Sequence, residues 1–229
     1  MKLKTPLSAN MKFEETVLRL LVCCVGFSPI ASLSLSAFGL IPLNYSGPLI
    51  VLPAILLIVF LSRKYSYMRK FILEGLIIGI ISVLIYDSFR LTFVFLGYMD
   101  DFIPKVGNYL LNTTNVHWTV GYTWRYIGNG GGMGMAFCML VPIFPAKWKS
   151  NLRITGVIYG LTIFTCLLAT IYLSSAGRTY LFNPDLFKGG IVLAGHIIYG
   201  WMLGLMYPLV SFSSGRNYVR YFKNSLSSI

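Results

Sequence analysis

Five ionisable residues fall inside long apolar runs of this chain: Glu74, Asp87, Arg90, Arg125 and His196. A Lys, Arg or Asp at the centre of a bilayer costs roughly 2.5–3.5 kcal/mol on insertion scales, which makes each such residue a candidate for function. Asp87 and Arg90 are three apart and share a helix face, where they can pair. The fixed fork of a guanidinium grips a carboxylate or phosphate through two parallel hydrogen bonds, so Arg90 and Arg125 are candidates for holding an anion. Tyr122, Trp124, Tyr126 and Asn129 surround Arg125, and Tyr199 follows His196 at the next turn. Glu74 lies about a turn inside its run, where it can snorkel or pair with Arg69 or Lys70.

At about 1.5 Å per residue, Arg90 lies about 10 Å and Asp87 about 15 Å below the outer end of their run. Arg125 lies about 10 Å and His196 about 9 Å below the outer ends of theirs. Three runs therefore place polar groups at one level. Two arginines and one aspartate leave excess positive charge, and an unpaired buried arginine is costly, so water or an anionic group is expected to complete the set. Two readings follow. Asp87, Arg90, Arg125, Asn129, His196 and Tyr199 line a pocket for a carboxylate or a lipid phosphate, or they form an ion-pair network that pins the helices. The sequence leaves open whether Asp87 faces Arg125 or only Arg90.

The elements that position these residues follow from composition. The 229 residues are 56% hydrophobic and only 11% charged, with a mean hydropathy of +0.71. Soluble domains carry about a quarter charged residues, so lipid is the expected solvent. Apolar runs at about 20–43, 48–61, 71–97, 118–144, 154–175 and 190–212 lack period-2 alternation and read as helices. The expected fold is all-α: one polytopic transmembrane helix bundle over 1–229, with about six spans. Within the first run Ser34-Leu35-Ser36 puts small residues two apart just before Ala37, as at a signal-peptide cleavage site, but the run is too long for a signal core.

Orientation follows from the basic residues. Lys2, Lys4, Lys12 and Arg19, then Arg63, Lys64, Arg69 and Lys70, then Lys147, Lys149 and Arg153, then Arg216, Arg220 and Lys223 fall on one side. The alternate loops hold only Lys105, Arg178 and Lys188. This positive-inside bias places both termini, about 1–19 and 213–229, in the cytoplasm. The net charge of +12 is thus explained by loops, and no nucleic acid is implied. The segments 98–117 and 176–189 are expected to form short interfacial helices. Asn44-Tyr45-Ser46 and Asn112-Thr113-Thr114 match the glycosylation acceptor pattern.

Glycines recur four apart at Gly75/Gly79, Gly128/Gly132, Gly130/Gly134, Gly156/Gly160 and Gly200/Gly204, a spacing that lets helix backbones approach in lipid. The run from Gly128 to Gly134 either breaks its helix beside Arg125, as in discontinuous transporter helices, or forms a smooth packing face. Cys23, Cys24, Cys138 and Cys166 have no metal-ligand or redox spacing. Two histidines raise haem ligation, but His117 and His196 do not match in depth. No cofactor or metal is expected.

Gly195-His196-Ile197-Ile198-Tyr199-Gly200-Trp201-Met202-Leu203-Gly204 resembles the terminal helix of small bacterial inner-membrane proteins of the YagU-like group. Asn183-Pro184 before it fits, and Gly121 to Gly134 resembles their glycine-rich aromatic helix more loosely. His196, Tyr199 and Gly200 are the matching positions; Asp87, Arg90 and Arg125 are not carried over. The resemblance implies a bacterial inner membrane and no particular activity. Three functions are therefore carried forward. The first is binding or transport of an anionic small molecule or lipid headgroup. The second is an accessory subunit with membrane-protein partners. The third is an intramembrane lipid- or isoprenoid-modifying enzyme, with Asp87 or Glu74 as acid and His196 as base.

Overall fold

The computed structural model describes residues 9–213. The basic residues at 1–8 and 214–229, on which part of the orientation argument rests, lie outside the described residues. Within them the protein is 83% helix with no strand, so its architecture is decided by how helices meet.

Helix α1 (Ala9–Gly26) and helix α2 (Ser28–Ala37) join at Phe27 with a bend of 47°. Pro29 sits in the first turn of α2; it has no N–H to continue the ladder, and its ring clashes with a preceding helical carbonyl. The expected first span is therefore a bent pair, and helix runs back from it through the described residues to Ala9. The second run is longer than expected. Helix α3 (Leu43–Ser46), a π-helical segment Gly47–Val51 and α4 (Leu52–Lys64) form one continuous 22-residue helix. Pro48 and Pro53 lie inside this helix, at the starts of the π-helical segment and of α4, where each removes one backbone donor from the ladder.

Helix α5 (Ser66–Phe95) carries Asp87 and Arg90. Short α6 (Ile103–Leu111) follows. The glycine-rich column consists of α7 (Trp118–Thr123), a π-helical segment Trp124–Gly131 and α8 (Gly132–Leu140). The glycine run is thus helical, with wide turns through Arg125 and Asn129. Short α9 (Ala146–Lys149) leads to α10 (Leu152–Leu173), then α11 (Ser175–Tyr180) and α12 (Leu186–Ser213). Both expected loop helices are present, as α6 and α11.

Among the described residues four helices are long and apolar enough to cross a membrane: Leu43–Lys64, Met68–Phe95, Leu152–Leu173 and Leu186–Leu209; counting the bent α1–α2 pair as one span gives a fifth. The glycine-rich column is not among them. Arg125, Asn129 and the glycines make it too polar, yet Gly130 to Met139 are all buried. Neighbouring helices cover it, so this column does not need the apolar surface that lipid contact demands. Leu49, Leu52, Leu56 and Phe60 on the outlying column are exposed, the pattern of a surface made for apolar surroundings.

Glycines set the contacts. Gly75 and Gly79 of α5 press on Gly130, Gly134 and Met135, while Gly156 and Gly160 of α10 press on His196, Gly200 and Gly204 of α12. A methyl group at Gly79 would strike the carbonyl oxygen of Gly130. Hydroxyls fasten α12 and α10 to the glycine-rich column: Tyr199 donates to the Gly130 carbonyl at 2.8 Å and Tyr159 to the Met133 carbonyl at 2.8 Å. Across the end of the bundle, Ser174 donates to the Ala37 carbonyl.

Candidate functional site

Asp87 lies at the centre of a buried cluster. Arg125 donates from Nε to its Oδ2 at 3.2 Å and from Nη2 to its Oδ1 at 2.9 Å. Arg90 donates from Nε to Oδ1 at 3.1 Å. Asp87 therefore faces both arginines. Arg90 is fully buried, and its other two nitrogens go to Asp101 Oδ1 at 3.0 Å and the Tyr122 hydroxyl at 3.3 Å. Tyr122 in turn donates to Asp101 Oδ2 at 2.7 Å. The guanidinium of Arg125 stacks on the Tyr86 ring, 4.6 Å from its centroid, and that of Arg90 lies 5.3 Å from the Phe102 ring.

The excess positive charge expected from two arginines and one aspartate is corrected here. Asp101, at the approach to α6, supplies the second carboxylate, and its Oδ1 also accepts the Ile103 backbone N–H at 3.2 Å. The cluster balances its own charges. Sequence reasoning missed Asp101 because it lies eleven residues beyond Arg90, outside the span. The charge deficit itself was the usable signal, since Asp100 and Asp101 are the acidic residues of the 98–117 segment. Both oxygens of Asp87 thus accept from guanidiniums, Oδ1 from two and Oδ2 from one.

Beside the cluster lies a cavity of about 350 Å³, at the small end of ligand pockets. Its wall is mostly apolar, with Ile30 and Leu33 of α2 facing Ile163 and Leu167 of α10. Arg125, Asn129 and His196 supply polar groups to the wall. Two of the five N–H groups of Arg125 go to Asp87, leaving three beyond that pair. The side-chain oxygen of Asn129 is buried without a hydrogen-bond partner, a costly state for a polar group. His196 places Nδ1 2.7 Å from the Val192 carbonyl, which fixes that nitrogen as the donor and leaves Nε2 as an acceptor. Ala31, Thr162 and Cys166, all exposed, mark where the cavity reaches the surface between α2 and α10.

The six residues expected to form one site thus divide. Asp87 and Arg90 belong to the ionic cluster, Asn129 and His196 to the cavity, and Arg125 to both. Tyr199 is 1% exposed and locks α12 to the glycine-rich column. Glu74 pairs with Lys70 at 3.7 Å, on the far half of α5. His117 opens α7, away from the cavity. Among the described residues no group of three or more His, Cys, Asp or Glu side chains could hold a metal ion. No protein family, curated protein or solved structure matches this chain.

Proposed function

We propose that this is a multi-pass membrane protein that binds a single amphiphile with an anionic head, such as a carboxylate or a lipid phosphate. The observation that carries this reading is the cavity: apolar along α2 and α10, polar where Arg125, Asn129 and His196 meet, and open at the side. The head accepts from the Arg125 guanidinium and from the side-chain amide N–H of Asn129, while the chain lies between α2 and α10. Because the ionic cluster is already neutral, Arg125 acts as a preset donor held by Asp87. The proposed setting is a bacterial inner membrane, with six crossings and both termini cytoplasmic. The distribution of Lys and Arg along the sequence supports it.

A second reading is favoured by the closed charge balance around Asp87. The cluster then serves helix packing, and the protein is an accessory subunit of a larger membrane complex. Native mass spectrometry of the gently extracted protein separates the two. The first reading expects a retained acidic lipid or metabolite, lost by tenfold or more in Arg125→Gln, since a charge-assisted hydrogen bond contributes about 1.5–3 kcal/mol. Cys166→Trp, which blocks the mouth and leaves the cluster intact, should give the same loss. Stoichiometric protein partners with no bound amphiphile would favour the second reading.

A further inference from the structure

Lys105, Arg178 and Lys188 are the basic residues of the two loop segments at the α6 end of the bundle, and they come from α6, α11 and α12. All three line one hollow of about 300 Å³. Its rim also holds Asp100, Thr179 and Asn183, and its floor is Met99, Leu181 and Phe182. The loops at this end are otherwise sparing in positive charge, so their gathering at one place is specific to the tertiary structure. Lys188 is partly engaged, 3.2 Å from Asp185. Among the described residues neither Lys105 nor Arg178 has an ion-pair partner. Three cations therefore meet at one hollow with Asp100 on its rim and Asp185 beside Lys188, an excess of positive charge that attracts an anion from solution or from a membrane surface.

The geometry points to a second binding site here, for a phosphoryl group carried on an organic body. Lys105, Arg178 and Lys188 supply charged donors from three directions, and Thr179 and Asn183 add neutral ones. The apolar floor suits the organic part of a phosphate ester. A phospholipid headgroup and a soluble phosphate share this chemistry. The site uses none of Arg125, Asn129 or His196, so it stands or falls apart from the amphiphile cavity.

The test uses the full chain in phosphatidylcholine nanodiscs. One arm titrates inorganic phosphate by calorimetry; the other adds phosphatidylglycerol and reads retained lipid by native mass spectrometry. Binding in the phosphate arm identifies a soluble ligand site, and binding in the lipid arm alone identifies a headgroup site. In either case Lys105→Gln/Arg178→Gln should weaken binding by tenfold or more, with an unchanged melting temperature. Lys188→Gln should weaken it less, because Asp185 already shares that charge, and the lipid arm is read in the Cys166→Trp background, which closes the amphiphile cavity so that lipid held there is not counted. Absence of binding in both arms, or binding that Lys105→Gln/Arg178→Gln leaves intact, would overturn the proposal.

Discussion

The ionic cluster around Asp87 and the basic hollow at the α6 end use the same residue types under opposite constraints. Inside the bundle, Arg90 and Arg125 are matched one for one by Asp87 and Asp101, and every carboxylate oxygen is engaged. At the end of the bundle, Lys105, Arg178 and Lys188 face an open volume with fewer carboxylates than cations. The difference follows from solvent. A buried charge without a partner costs several kcal/mol, so the interior must close its own balance. An exposed charge is solvated and screened, so a surface can leave its balance open for a ligand to complete.

The largest effect expected from breaking this contrast is at Arg90. Arg90→Gln strips a partner from Asp87, Asp101 and Tyr122 together. The variant should lose roughly 3–5 kcal/mol of stability, seen as lost folded yield and a lower melting temperature in detergent. A melting curve like the parent's would show that the cluster does not hold the bundle.

Asp101→Asn is a gentler probe. The amide oxygen can still accept from Arg90, so the cost should be about 1–3 kcal/mol. It also recreates the charge excess that two arginines and one aspartate imply. The melting temperature of this variant should rise with an added small anion such as nitrate, while that of the parent should not. Equal responses would mean that the cluster is not electrostatically closed.

The smallest effect is expected at the hollow. Lys188→Gln removes an exposed, solvent-screened pair with Asp185 and should leave the melting temperature as in the parent. The Lys188 backbone N–H donates to Asp185 Oδ1 at 2.7 Å and holds that carboxyl below the usual carboxylate range. The aspartate therefore keeps its charge above that lowered range, and any stability it gives is lost only as pH falls through it. A large melting shift in Lys188→Gln at neutral pH would show that the hollow is a structural joint.

The sequence by itself determined a great deal that depends on local chemistry. Apolar runs without period-2 alternation dictate helices, and glycines four apart dictate close helix seams, as Gly79 against Gly130 and Gly156 against Gly200 show. The residues of the polar site were also legible, because Asp87, Arg90, Arg125 and His196 are conspicuous wherever lipid is the solvent. Hydropathy misjudges helices whose surroundings are protein. The glycine-rich column falls short as an apolar span because of Arg125, Asn129 and its glycines, which it can carry because α1, α5 and other neighbours cover it, and Pro29 turns the first run into a bent pair. The tertiary structure alone decided who partners whom. It brought Asp101 back to Arg90, turned Tyr199 toward Gly130 and gathered Lys105, Arg178 and Lys188 from three helices. Such pairings depend on how helices far apart in sequence are placed, and local pattern carries no record of that.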